Sequence, residues 1–139
     1  MPRITPVLVL AVLLLSSAPT ALAQQPDIVQ EHWYHSYLTL TTDVQAWAVD
    51  HPEIVILTVA GQTVLGRNLW VLQISDWSQN TKPDGAQKEI VYIDGGHHGN
   101  EHLGTELAFL TAEFYIEGWA TGDQEVIDVL TTILVSYIL

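Results

Sequence analysis

One strand of this sequence passes through two glycines directly into a long helix, and this unit restricts the chain to the α/β class. Residues 89–94 are rich in β-branched and aromatic side chains, which is typical of a β-strand. Gly95 and Gly96 follow, and glycine allows the backbone to turn sharply. Apolar residues then recur at helical intervals over residues 100–119. They are Leu103, Leu107, Leu110 and Phe114.

This spacing predicts that the four apolar residues form the buried face of the helix. Glutamates at near-helical spacing then mark the opposite, solvated face. They are Glu106, Glu113 and Glu117. A role for any of them as a catalytic base is not expected, because a solvated carboxylate on a helix is an ordinary surface feature.

The remaining segments also alternate between helix and strand. Helices are predicted over residues 41–50 and 123–130, and strands over residues 54–60, 69–75 and 132–139. The strands at 54–60 and 69–75 are expected to form an antiparallel hairpin. Four strands and three helices are too few to cover such a sheet. The prediction is therefore that residues 24–139 are the N-terminal part of a larger α/β domain, interrupted inside an apolar strand.

The first 23 residues predict a cleaved signal peptide. Arg3 precedes an apolar run of nine residues over 7–15, and Ala21-Leu22-Ala23 has the small-x-small pattern of a cleavage site. The run is shorter than the about 20 residues that span a bilayer, so no stable membrane insertion is expected after cleavage. An uncleaved or lipid-tethered anchor is the alternative. The expected location of the mature chain is secreted or in the cell envelope, including the periplasm.

Charge and cysteine content exclude several classes of function. The chain has 16 acidic and 4 basic side chains, a formal net charge of −12. Too few cations are present to neutralise phosphates, so nucleic acid is not an expected partner. The absence of cysteine rules out a disulfide-stapled mini-protein, a cysteine zinc knuckle, an iron–sulfur site and a cysteine nucleophile.

His98 and Glu101 are the candidate metal ligands. They follow the strand at 89–94, and open α/β sheets keep their ligand sites at the carboxyl ends of strands. An imidazole and a carboxylate three positions apart at a helix start can bind one side of a zinc ion. The alternative is that Glu101 only supports the helix start while His98 packs in a turn. His-x-x-Glu spacing is weak evidence by itself.

The stretch from Gly95 to Leu107, Gly-Gly-His-His-Gly-Asn-Glu-His-Leu-Gly-Thr-Glu-Leu, resembles the first metal motif of M14 (carboxypeptidase A-like) zinc carboxypeptidases. Upstream blocks occur in that family's order, including Tyr34-His35-Ser36-Tyr37 and Gly66-Arg67-Asn68-Leu69. The His-Gly-Asn-Glu sequence is similar to the regulatory branch of carboxypeptidases E, D and N. It also occurs in related deacylases of the aspartoacylase type.

The resemblance implies a partial α/β/α sandwich with a mixed, mostly central β-sheet, the front half of a zinc-carboxypeptidase-like domain. It implies one Zn²⁺ held by His98 and Glu101, with His97 and Asn100 as candidates to support these ligands. Family members carry a third histidine ligand and a general-base glutamate further along, which have no matching position before Leu139. No catalytic residue is therefore expected within these 139 residues.

The implied function is release of C-terminal amino acids from peptides or proteins by an exported metallocarboxypeptidase. Two alternatives remain from the sequence. One is a zinc-dependent deacylase or amidohydrolase on the same scaffold, and the other is an inactive relative that binds peptides. His35, which lies just before the first predicted helix, is expected to be structural.

Overall fold

The computed structural model describes residues 34–139, and the predicted signal peptide lies outside the described residues. Every helix and strand predicted for residues 41–139 is present, with bounds shifted by a few residues at most. The elements are α1 (Tyr37–Asp50), β1 (Val55–Gln62), β2 (Asn68–Ile74), β3 (Glu89–Asp94), α2 (His102–Thr121), α3 (Gln124–Thr132) and β4 (Ile133–Ile138). Within residues 34–139, no helix is both long and apolar enough to cross a bilayer.

The four strands form one mixed sheet in the order β1-β2-β4-β3. β1 and β2 are the predicted antiparallel hairpin, β2 and β4 are also antiparallel, and β3 runs parallel to β4. Ile138 pairs with Val71 on one side and with Asp94 on the other. The start of β2 and the carboxyl ends of β3 and β4 therefore meet at one edge of the sheet.

The three helices pack on one face of this sheet. Alternate strand residues, including Leu72, Ile74 and Tyr137, are fully buried and share a single core with residues of all three helices. The intervening strand residues, such as Ile90 and Tyr92, are exposed on the other face. The mixed sheet is as predicted, and the described residues build two layers of the expected three-layer sandwich.

The buried face of α2 differs from the predicted one. Leu103, Leu107, Leu110 and Phe114 are 45–59% exposed. The residues that enter the core are instead Ala108, Phe109, Ala112 and Ile116. Small residues allow the helix to lie close to its neighbours, as at Gly118, where an added Cβ would stand 2.5 Å from Val126 Cγ2. α2 carries apolar residues around most of its circumference. The spacing of these residues therefore could not predict which face of the helix is buried.

Tyr137 offers a test of this core. Its side chain is fully buried, its hydroxyl has no hydrogen-bond partner among residues 34–139, and burial raises the pKa of the phenol. An unsatisfied buried polar group costs about 1–3 kcal/mol. We therefore expect Tyr137→Phe to keep the ring packing and to raise the free energy of unfolding by about 1 kcal/mol in urea titrations followed by circular dichroism.

Tyr37→Phe is the matched control, because the Tyr37 hydroxyl accepts a hydrogen bond from the Asn68 backbone N–H at 2.9 Å. This variant should lose about 1 kcal/mol of stability. A comparable loss in Tyr137→Phe would mean that the buried hydroxyl has a partner and would contradict the prediction.

Candidate metal centre

Two glycines bring the start of α2 against the end of β3. The Gly95 N–H donates to the Ile138 carbonyl at 3.1 Å, which ties the turn to β4. An added Cβ at Gly95 would stand 2.9 Å from Ala108 Cβ and 3.0 Å from Thr105 Cα. Gly96 has a φ of +84°, and a Cβ there would collide with Thr105 Oγ1. The turn thus requires glycine both for its backbone conformation and for the space it leaves to α2.

His98 and Glu101 lie on this turn with their polar atoms facing each other. His98 Nδ1 and Glu101 Oε2 are 3.1 Å apart, and the Glu101 N–H donates to the His98 carbonyl at 2.9 Å. The side chains are 67% and 60% exposed, so a ligand can reach both from solvent. Glu101 is the N-cap residue of α2, yet its side chain makes no capping hydrogen bond. Its carboxylate is directed to His98 instead of to an N–H of the first turn.

The separation of the two atoms suits a shared zinc ion. Zinc takes imidazole nitrogen at about 2.0–2.1 Å and carboxylate oxygen at about 2.0–2.2 Å in tetrahedral geometry, which places the two ligand atoms about 3.4 Å apart. The observed 3.1 Å requires an opening of only a few tenths of an ångström. The dipole of α2 also favours the ionised form of a carboxylate at its N-terminus.

The pair supplies two ligands, fewer than a zinc site needs. Within residues 34–139, no group of three or more His, Asp or Glu side chains is arranged to hold a metal ion. A catalytic zinc site uses three protein ligands and a water. The geometry therefore fits one side of a zinc site, and the assignment of His98 and Glu101 as ligands stays a prediction.

His97 and Asn100 occupy different positions beside the pair. His97 Nδ1 lies 3.1 Å from Asp94 Oδ2, and its ring meets the His98 ring edge-on with centroids 5.0 Å apart. Asp94 thus orients His97, which in turn packs against His98. Asn100 is exposed and lines, with Glu101, a groove of about 540 Å³. The supporting roles predicted for His97 and Asn100 remain predictions.

Glu106 was predicted to be on the solvated face of α2, and this prediction was wrong. Its side chain is only 13% exposed and accepts hydrogen bonds from the backbone N–H and the ring of His35 at 3.0 Å each. The two residues are 71 positions apart, so no local spacing in the sequence could have paired them. The structural role predicted for His35 agrees with this contact.

Comparison with known proteins identifies the family. A family model described as zinc carboxypeptidase (peptidase M14) matches residues 40–138. A zinc carboxypeptidase of Saccharothrix mutabilis subsp. capreolus is 32% identical over 88 residues, which are 63% of this chain and 19% of that protein. Carboxypeptidase D of Mus musculus is 37% identical over 81 residues, 58% of this chain and 6% of that protein. The chain thus spans about a fifth or less of the length of these relatives.

A solved structure supports the fold assignment. The crystal structure of thrombin activatable fibrinolysis inhibitor matches 76% of this chain and 24% of its own chain, with a TM-score of 0.65 and 17% sequence identity. This likeness concerns the fold alone, whereas the family model carries the sequence relationship over most of the described residues. The family match includes the turn that carries His98 and Glu101, and the chain belongs to the zinc carboxypeptidase family.

Proposed function

We propose that this chain contributes part of the zinc site of an exported carboxypeptidase that releases C-terminal amino acids from peptides or proteins. The observation that supports this most strongly is the approach of His98 Nδ1 to Glu101 Oε2, 3.1 Å apart on a turn within the family match. Export rests on the signal-peptide pattern of residues 1–23.

The roles of the two side chains follow from their chemistry. Zinc, when bound, polarises a scissile carbonyl and lowers the pKa of water to about 7. His98 would offer Nδ1 and Glu101 would offer Oε2, and both side chains lie open to solvent. In this role the Glu101 carboxylate is a metal ligand and is not available as the general base. That base and the third ligand have to come from elsewhere in a working enzyme.

A chimera tests the proposal. We would replace the corresponding segment of the Saccharothrix zinc carboxypeptidase by residues 34–139 of this chain, which include His35 and all of α1. We would then measure zinc content and release of C-terminal amino acids from peptides. The expected result is a zinc-loaded enzyme with measurable carboxypeptidase activity. The same chimera with His98→Ala should lose both zinc and activity, because a ligand is missing.

The outcomes separate the alternatives. A folded chimera that retains zinc and activity after His98→Ala would contradict the assignment of this residue. A zinc-loaded chimera that ignores peptides but cleaves acylated amino acids would favour the deacylase. A folded chimera without activity on either substrate, beside an active parent enzyme, would favour the inactive relative.

A further inference from the structure

His35 and Glu106 form a contact that the proposed function does not use. The Glu106 carboxylate receives both the backbone N–H and Nδ1 of His35, each at 3.0 Å. A carboxylate only accepts hydrogen bonds, so Nδ1 carries the hydrogen in this contact. The His35 ring lies over Phe109 with centroids 3.9 Å apart, and its Nε2 faces Asp43 Oδ2 at 3.6 Å. The imidazole is therefore held by Glu106 on its Nδ1 side and by packing on Phe109.

The contact joins two helix starts at the sheet edge that carries the metal pair. His35 immediately precedes Ser36, the N-cap of α1, whose hydroxyl accepts from the Thr39 N–H. Glu106 lies on the second turn of α2, five positions after Glu101. The Glu106–His35 contact thus attaches the beginning of α2 to the residue that precedes the N-cap of α1.

The side chain of the N-cap residue does not stabilise the start of α2. An N-cap side chain ordinarily bonds a free N–H of the first turn, an interaction of about 0.5–2 kcal/mol. Glu101 holds the N-cap position without making that bond. Contacts that fix the start of α2 are instead the packing of Thr105 on Gly95 and Gly96, and the adjacent Glu106–His35 contact.

The geometry points to His35 and Glu106 as positioning residues for the metal pair, a role that rests on the proposed function. The His98 and Glu101 side chains are exposed, and their described polar contact is with each other. The place of the Glu101 carboxylate therefore depends on where the α2 backbone begins. Metal ligands have to be held within about 0.5 Å, so loosening α2 weakens binding at a distance.

Zinc affinity tests this role. In the full 139-residue chain, Zn²⁺ titration followed by the His98 imidazole resonances gives the Kd of the folded protein. Glu106→Ala and His35→Ala should each raise this Kd about tenfold, the lower end of the range for residues that orient ligands. Glu106→Gln, which keeps an acceptor for the His35 N–H, should have a smaller effect. All variants are compared at a temperature where circular dichroism shows them folded.

Val126→Ala is the matched control for stability. Val126 is buried against Gly118 at the far end of α2, so its truncation loosens the core without touching the helix start. This variant should lower the Tm and leave the zinc Kd of the folded protein unchanged. A merely structural role of His35 and Glu106 would give the same result in their variants.

The outcomes distinguish this inference from the proposed function. If the wild-type chain binds zinc at His98 and the Glu106→Ala and His35→Ala variants bind it equally well, the positioning role is wrong and the metal site stands. If zinc does not perturb His98 in the wild-type chain, both fail. Should the alanine variants not fold, His35→Phe replaces them, because it keeps the ring packing on Phe109 and removes the Nδ1 donor. An unchanged Kd in this variant would overturn the role, and a raised Kd would support it.

Discussion

Replacing Gly96 by alanine is expected to destabilise the protein by about 2–5 kcal/mol. Two penalties combine at this position. A side chain in the left-handed region costs about 1–2 kcal/mol, and Gly96 has a φ of +84°. The new Cβ would also collide with Thr105 Oγ1, and overpacking of this kind costs about 1–3 kcal/mol. Urea unfolding of both proteins, followed by circular dichroism, measures the difference.

Glycines elsewhere in the chain separate the two penalties. Gly66 has a φ of +76° with open space around it, so Gly66→Ala should lose only the conformational part, about 1–2 kcal/mol. Gly99 has neither a positive φ nor a close neighbour, and Gly99→Ala should be close to neutral.

A double variant then isolates the collision. Thr105 Cβ would stand 3.8 Å from the new methyl group, so Gly96→Ala with Thr105→Ala should recover the steric part of the loss. If Gly96→Ala is as harmless as Gly99→Ala, the close approach of α2 to the turn is wrong.

Removing either side chain of the metal pair is expected to weaken zinc binding to the 139-residue chain at least about tenfold, since even residues that only orient ligands contribute tenfold or more. The wild-type chain should bind zinc weakly, because the described residues bring two ligand atoms together where a catalytic site has three. The His98→Ala and Glu101→Ala variants each retain only one of these two ligand side chains. Isothermal titration calorimetry with Zn²⁺ measures the change.

Two other histidines control for non-specific binding by imidazole. His97 is adjacent to the pair, packs against the His98 ring and is directed to Asp94, so His97→Ala should lose less affinity than His98→Ala. His51 lies at the end of α1 near Glu53, at a Nδ1–Oε1 distance of 3.8 Å, and His51→Ala should change nothing. Equal losses in all four variants would indicate scattered surface binding, contrary to a paired site.

Much of the local structure could be predicted from the sequence. β3 begins and ends at the predicted residues, because its composition and the following glycines mark both ends. The hairpin of β1 and β2 and the turn carrying His98 also follow from local patterns. The approach of His98 to Glu101 is of this local kind, since three residues of one turn separate them.

The packing of the helices and strands against one another could not be predicted in the same way. α2 has apolar residues on several sides, and the face that packs is the one whose small side chains permit close approach. The parallel pairing of β3 with β4 and the contact of His35 with Glu106 join segments far apart in the chain. The period of the apolar residues shows which side chains share one face of a helix or strand. It does not show which other element that face packs against.

The convergence of His98 and Glu101 on one divalent ion can be observed at the atoms concerned. In the 139-residue chain with ¹⁵N-labelled histidine, long-range ¹H–¹⁵N spectra recorded with and without Zn²⁺ report each imidazole nitrogen separately. We expect zinc to shift Nδ1 of His98 to the metal-bound range while Nε2 keeps its hydrogen, and Glu101→Ala to remove this change. A His98 spectrum that does not respond to zinc, or responds equally after Glu101→Ala, would contradict the shared site.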